Sequence, residues 1–398
     1  MGSIITLGIG RLEVDWGKNS FFQNHSKLFL PEDIKPITYY YADDYQEEKP
    51  GFARKLRSVV KRIELLGYTI PECRRLYEDA AEQIPDHYPD PAISFDVIAR
   101  ALESVDINRV ALPDEPEHYD LGEYVARNIL ADPEFTKSAP DLRSLAPDDG
   151  TFFENLDPYL VLRLVAQNPA NLDQDVAWRF DDVVEGGWVE LSGLYEGLSD
   201  ADRYLVVTEG SSDSAILRAA LPLAEPDVTD FFDFIDMSDN YPFTGTGNVV
   251  RFCQGLARIR IQNRIMVVLD NDVAGREAHR RIQSLDLPPR MRAVLLPRLD
   301  EGTRFRTLGP AGESFEDING RAVSIECFLD LRYGRGGEPT VRWTGYSETL
   351  DAYQGELIGK EAYVRTFLEG ASRDKKYDLS KLRHLWSRLL DCCATASA

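Results

Sequence analysis

Tyr204–Asp213 reads YLVVTEGSSD and Val267–Gly275 reads VVLDNDVAG. Each is a short, β-rich apolar run that breaks into acids and then into a helix-like pattern. A third run, VSIECFL at Val323–Leu329, adds Ser324 and Glu326. In an open parallel sheet the strand C-termini line one crevice, so Glu209, Asp213, Asp270, Asp272 and Glu326 converge there although they are far apart in the chain. Carboxylates in that number are hard oxygen donors, suited to Mg²⁺ or Mn²⁺ and not to zinc.

The spacing within each run carries the same message. Glu209 ends a strand and Asp213 lies four residues on, so one helical turn brings both carboxylates to one side. Gly210 and Ser211 are read as the sharp turn between them. Asp270 and Asp272 alternate at another strand end with Asn271 pointing away, and Ser324 and Glu326 repeat that alternation. Such a set can hold two ions about 3.5–4 Å apart, the arrangement that clamps the attacking and leaving oxygens of a phosphoryl transfer.

Outward from these runs the texture is strand, acid, helix, repeated. Strands are expected at 204–208, 231–237, 265–269 and 291–296, with helices at 212–223, 246–259 and 274–285, which means a small parallel sheet flanked by helices. Beyond Gly334–Gly337, 360–368 and 379–390 read as two helices of a short C-terminal cap. Upstream, 4–14 alternates as a strand or hairpin, while 51–66, 93–102, 121–130, 159–166 and the segment to Phe180 read as helices. Pro85, Pro89 and the segment 140–150 read as breaks. Three parts follow: a mixed, mostly helical region at 1–197, the acid-bearing α/β domain at 198–333, and a helical extension at 334–398.

The bulk numbers narrow the classes. With 43% hydrophobic and 10% aromatic residues in 398, the chain is globular and long enough for sizeable cores. No apolar stretch approaches bilayer length and no apolar leader opens the chain, so a cytoplasmic protein without a membrane partner is expected. Five scattered cysteines lack paired ligand spacing and read as reduced thiols. The net charge of −22 argues against coating nucleic acid through the overall field. Yet Arg251–Arg306 holds twelve arginines, six acids and no lysine, a stretch suited to a phosphodiester track, with about half of its arginines expected on solvated helix faces. No Arg-then-His spacing of the kind that marks HEPN ribonucleases precedes His25, His87 or His118.

The Glu-Gly run after one strand, the Asp-x-Asp run after another and the order of elements resemble a Toprim domain, the fold shared by topoisomerases, bacterial primases and certain nucleases. The resemblance covers roughly residues 200–333. Within that superfamily the extra acid of EGSSD and the Ser-x-Glu of VSIECFL resemble the OLD-type nuclease branch, which implies that Glu209, Asp213, Asp270, Asp272, Ser324 and Glu326 occupy metal-site positions. OLD-like sites also employ a basic residue near the scissile phosphate, for which Lys375 and Lys376 in SRDKKYD are the candidates; the same lysines also read as solvated charges ahead of a helix. The opening MGSIITLGIGRLEVDWGK is similar to a region found ahead of Toprim domains in bacterial HEPN/Toprim-associated proteins.

The resemblance implies a metal-dependent nuclease acting on nucleic acid, DNA ahead of RNA, in anti-phage defence. One departure stands out: OLD nucleases carry an ATPase domain, whereas this chain has no Gly-x-x-x-x-Gly-Lys-[Ser/Thr] loop, so nucleotide control would come from a separate ATPase or sensor. A homo-oligomer is compatible with the sequence. The alternatives are a non-catalytic Toprim scaffold that binds nucleic acid or a protein, and a primase- or topoisomerase-related enzyme. For the latter, the gate, zinc and nucleotide-binding domains have no room or signature here.

Overall fold

Glycine and alternating apolar residues open the chain as a hairpin. Ile5, Leu7 and Ile9 of β1 (Ile4–Ile9) and Leu12 and Val14 of β2 (Leu12–Lys18) are buried on one face, and Gly10 makes the turn at φ +60°. The computed structural model describes residues 2–41, 45–83, 93–110, 119–133, 137, 151–235, 245–334, 337–370 and 373–394. The chain divides into two compact units, residues 1–198 and 199–397.

In the first unit the hairpin joins β3 (Ile34–Tyr40), β4 (Gln46–Lys55), β5 (Tyr119–Asp120) and β6 (Asp175–Arg179) in a six-stranded sheet of order β3-β4-β6-β1-β2-β5. Leu7, Phe52 and Trp178 form one core with Val59 and Ile63 of α1 (Leu56–Leu66), Cys73 and Tyr77 of α2 (Ile70–Gln83), Ile98 and Leu102 of α3 (Phe95–Glu103), and Leu160 and Leu164 of α4 (Pro158–Val165). Phe52 stacks on Trp178 with centroids 5.9 Å apart, a contact worth about 0.5–1.5 kcal/mol beyond the area it buries.

The expectation of a mostly helical first half is corrected by this sheet. The sequence 51–66, read as one helix, is strand to Lys55 and helix only from Leu56. The segment before Phe180, also read as helix, contains β6, whose Val176 and Trp178 enter the main core while Ala177 faces the other side of the sheet. β4 escaped because its outer half, QEEKP, alternates exposed and half-buried charged residues with no apolar face to read. Pro85, Pro89, His87, His118 and residues 140–150 lie outside the described residues.

In the second unit, β7 (Tyr204–Val207), β8 (Phe232–Phe234), β9 (Arg264–Leu269) and β11 (Met291–Leu295) form a parallel sheet of order β11-β9-β7-β8. Helices α5 (Ser211–Ala224), α6 (Thr246–Arg258) and α7 (Val273–Gln283) alternate with the strands as expected, and residues 236–237 of the expected second strand lie outside the described ones. The chain runs outward from β7 to β8 and then returns to β9 on the other side of β7. A topological switch point therefore lies between the ends of β7 and β9.

A two-residue ladder, β10 (Asn271–Asp272) with β14 (Ala322–Val323), ties the end of β9 to the later chain. A second sheet, absent from the sequence reading, has the order β13-β12-β15-β16, from β12 (Phe305–Gly309), β13 (Gly312–Glu316), β15 (Thr340–Ser347) and β16 (Ala352–Leu357). Helices α8 (Lys360–Leu368) and α9 (Ser380–Ala394) follow. α9 is built into the unit: Trp386 is fully buried against Phe232, with centroids 5.2 Å apart, and Cys393 Sγ lies 3.7 Å from Met266 Sδ. Among the described residues no helix is long and apolar enough to cross a membrane.

Candidate active site

The ends of β7 and β9 flank the switch point, and each bears acids. Glu209 follows β7, and its Oε1 accepts a 3.1 Å hydrogen bond from the backbone N–H of Asp270, directly after β9. Two acids 61 residues apart are thus joined across the crevice. Asp213 stands at the third position of α5, where its Oδ2 accepts from Gly210 N at 3.0 Å and its Oδ1 from the Ser212 hydroxyl at 3.2 Å. Gly210 itself is extended, with φ −144° and room for a Cβ, so its N–H rather than its freedom to turn serves the site.

Asp272 is the N-cap of α7, with Oδ1 accepting from Gly275 N at 2.7 Å and Oδ2 from Gln354 Nε2 at 2.5 Å. Gly275 is needed here, because a Cβ would collide with the carbonyl oxygen of Asp270. Gln354 on β16 also accepts from the Val273 and Ala274 amides at 2.9 and 3.2 Å. The β10–β14 ladder carries the chain from Asp272 to Ser324 and to Glu326, which is 3% exposed. Ser324 is the N-cap residue of the short turn Ile325–Phe328 but makes no side-chain capping bond; its hydroxyl lies 4.0 Å from Cys327 Sγ.

These acids feel one another. Burial, then Asp272 and Asp213, push Glu209 up to about 8. Burial and then Glu326 push Asp213 up to about 6, against the hydrogen bonds from Ser212 and Gly210 and the field of Lys360. Asp270 is held well above its ordinary value by burial and by Asp213, Glu209, Asp272 and Glu326. Asp272 is raised by burial, which outweighs the hydrogen bonds from Gly275 and Gln354. The N-termini of α5 and α7 both meet the cluster, and their dipoles favour the anionic forms.

A cation missing from the sequence reading completes the arrangement. Lys360, half-buried at the first position of α8, loses charge stability to burial, yet Glu326, Asp270 and Asp213 raise its pKa above the ordinary value. A lysine in the first turn of a helix opposes the dipole, which is the signal that could have marked it. Lys375 and Lys376, by contrast, are exposed in the turn before α9, where Lys376 N donates to Asp374 at 3.0 Å. Of the twelve arginines, Arg264 lies over the Tyr204 ring, Arg276 donates to Gly320 O, Arg298 and Arg306 pair with Asp317 and Glu313, and Arg304 covers Phe315. The other seven are exposed.

No group of three His, Cys, Asp or Glu among the described residues is arranged to hold a metal ion as it stands. Glu209, Asp213 and Asp272 each rest on protein N–H donors. The donor set nonetheless fits a hard divalent cation, since buried carboxylates that raise one another's pKa have an unmet demand for positive charge.

In the first unit, His25 is buried, with Nε2 2.8 Å from Asp15 and Nδ1 3.4 Å from Tyr159 Oη, a structural placement. No curated protein and no solved structure matches the chain. The family described as HEPN/Toprim N-terminal domain 1 matches residues 1–202. With that match covering more than half of its 398 residues, the chain belongs to the HEPN/Toprim N-terminal domain 1 family.

Proposed function

We propose that residues 199–397 form a Toprim nuclease unit of the OLD-like type that hydrolyses nucleic-acid phosphodiester bonds. The observation that carries this reading is the meeting of Glu209, Asp213, Asp270, Asp272 and Glu326, from three separate runs, with one lysine beside a parallel-sheet switch point. Glu209, Asp270 and Asp272 would hold one Mg²⁺ or Mn²⁺, and Asp213, Glu326 and Ser324 a second. Such ions supply Lewis-acid activation of water and stabilisation of the leaving oxygen. Lys360 brings an ammonium to balance charge developing on the phosphate, the role we assign to it ahead of Lys375 and Lys376. Exposed arginines on α6 and α7 would contact backbone phosphates without reading bases. The match to a HEPN/Toprim N-terminal region supports a Toprim-related, nuclease-type function; a setting in bacterial anti-phage defence, with a separate ATPase or sensor as partner, is part of the same proposal.

A second reading has its own observation. Carboxylates that already rest on protein N–H donors suit a Toprim scaffold that binds nucleic acid or a protein without cleaving it. Incubating the full chain with supercoiled plasmid, linear DNA and structured RNA in Mg²⁺ or Mn²⁺ separates the two. Cleavage by the wild type and not by Glu209→Ala or Asp270→Ala is expected, DNA being cut in preference to RNA; binding without cleavage supports the scaffold.

A further inference from the structure

Asp272 serves two neighbours at once. Its Oδ1 caps α7 by accepting from Gly275 N at 2.7 Å, while its Oδ2 accepts from Gln354 Nε2 at 2.5 Å. Capping needs only the first of these bonds. The second comes from β16, 82 positions along the chain, and holds the oxygen that the helix leaves free. Two anchored oxygens fix the plane of a carboxylate, and each keeps a further lone pair for a cation. From this fixed orientation the charge of Asp272 is felt at Glu209 and Asp270.

Gln354 is itself fully engaged. Its Oε1 accepts from Val273 N at 2.9 Å and Ala274 N at 3.2 Å, and its Nε2 also donates to Gly355 O at 3.4 Å. Donors on one side and acceptors on the other leave the amide a single orientation, since a flip sets N–H against N–H and C=O against a carboxylate. The backbone beside it is tied as well: Gly355 N donates to Arg321 O at 3.0 Å, and Arg321 and Ala322 both bridge to Asp272. By strand alternation Ser347 on β15 shares a hairpin face with Gln354. Its hydroxyl donates to Glu277 Oε1 at 2.8 Å, one turn further along α7. This second tie holds the same helix without touching the acid cluster, so it serves as the control.

We infer that Gln354 is a positioning residue for the divalent cation, its Nε2–H holding the Asp272 carboxylate in the orientation in which it serves the ion. The inference rests on the reading of Glu209, Asp213, Asp270, Asp272 and Glu326 as a cation centre. A hydrogen-bond partner behind a metal-binding side chain typically sets about 10–100-fold of the site's affinity.

The test is Mn²⁺ titration of the full chain, read by electron paramagnetic resonance, for the wild type, Gln354→Met and Ser347→Ala. Each variant cuts one tie between the hairpin and α7, and each is expected to lower the cation-free melting temperature by about 2–4 °C. Gln354→Met alone is expected to weaken Mn²⁺ binding, by about 10–100-fold, with Ser347→Ala within about twofold of the wild type. A second measurement needs no variant: with ¹⁵N in the glutamine side chains, Mg²⁺ should shift one side-chain amide pair of the wild type well beyond the others. Gln354→Met binding Mn²⁺ as tightly as the wild type overturns the role and leaves the cation centre standing. So does equal weakening in Ser347→Ala, or a wild type that binds Mg²⁺ with no glutamine amide shifted. A wild type that binds no Mn²⁺ overturns the centre itself and the role with it.

Discussion

Lys360 is the side chain on which the chemistry at residue scale turns. Its ammonium faces Glu326, Asp270 and Asp213, so Lys360→Met removes a cation whose field favours the charged forms of Asp213 and Asp272. Cleavage should fall about 10²–10³-fold, with Lys360→Arg recovering part of it, as read from initial rates on plasmid. Lys375→Ala should leave the rate within about twofold, since that side chain is exposed and outside the cluster. The acids themselves give a pH prediction. Glu209 titrates at about 8 in the folded chain against 4.5 ordinarily. As pH rises through that window the unfolded chain loses its proton first, so the metal-free fold loses stability until about pH 8 and regains it on acidification. Asp213 adds to the loss between 3.8 and about 6. Glu209→Gln should therefore raise the metal-free melting temperature at pH 8 while abolishing cleavage. A variant less stable than the wild type at that pH would contradict the electrostatic account.

At the scale of elements, the start of α7 is the hinge of the site, because Asp272 both caps the helix and faces the acid cluster. Asp272→Asn keeps the acceptor for Gly275 N but turns an amide donor onto the Gln354 Nε2 donor, so it should cost about 1–2 kcal/mol of stability as well as cleavage; Asp272→Ala loses the cap too, at about 1 kcal/mol. Gly275→Ala forces a Cβ onto the Asp270 carbonyl and should destabilise by about 1–3 kcal/mol, measurable by urea unfolding. These elements were legible before the structure: the apolar runs at 204–208 and 265–269 and the helices after them stand within a residue or two of β7, β9, α5 and α7. They were legible because strands buried on both faces read as unbroken apolar runs. The sheet β13-β12-β15-β16 was not, since GESFE and TVRWTGYS are mostly exposed and carry no clean alternation. With that sheet went Gln354, the residue that fixes Asp272 from 82 positions away. Lys360 was read as a helix start and missed as a charge. Only the tertiary placement of α8 reveals which acids it faces.

At the scale of the whole molecule, the chain has two units with separate cores. The first is built on a six-stranded sheet. The second gathers acids at a parallel-sheet switch point. The net charge of −22 makes non-specific attraction to nucleic acid weak overall. Contact must then run through local features such as the exposed arginines of α6 and α7, and binding should weaken with salt according to the few phosphates they meet. All of this depends on the acids of the second unit being a divalent-cation centre. The most direct measurement is Mn²⁺ binding to the full chain by electron paramagnetic resonance, with Asp270→Ala alongside. Two Mn²⁺ are expected to bind per chain, to be lost in the variant and to be displaced by Mg²⁺; a wild type that binds no Mn²⁺, or a variant that binds as much as the wild type, would contradict a divalent-cation centre.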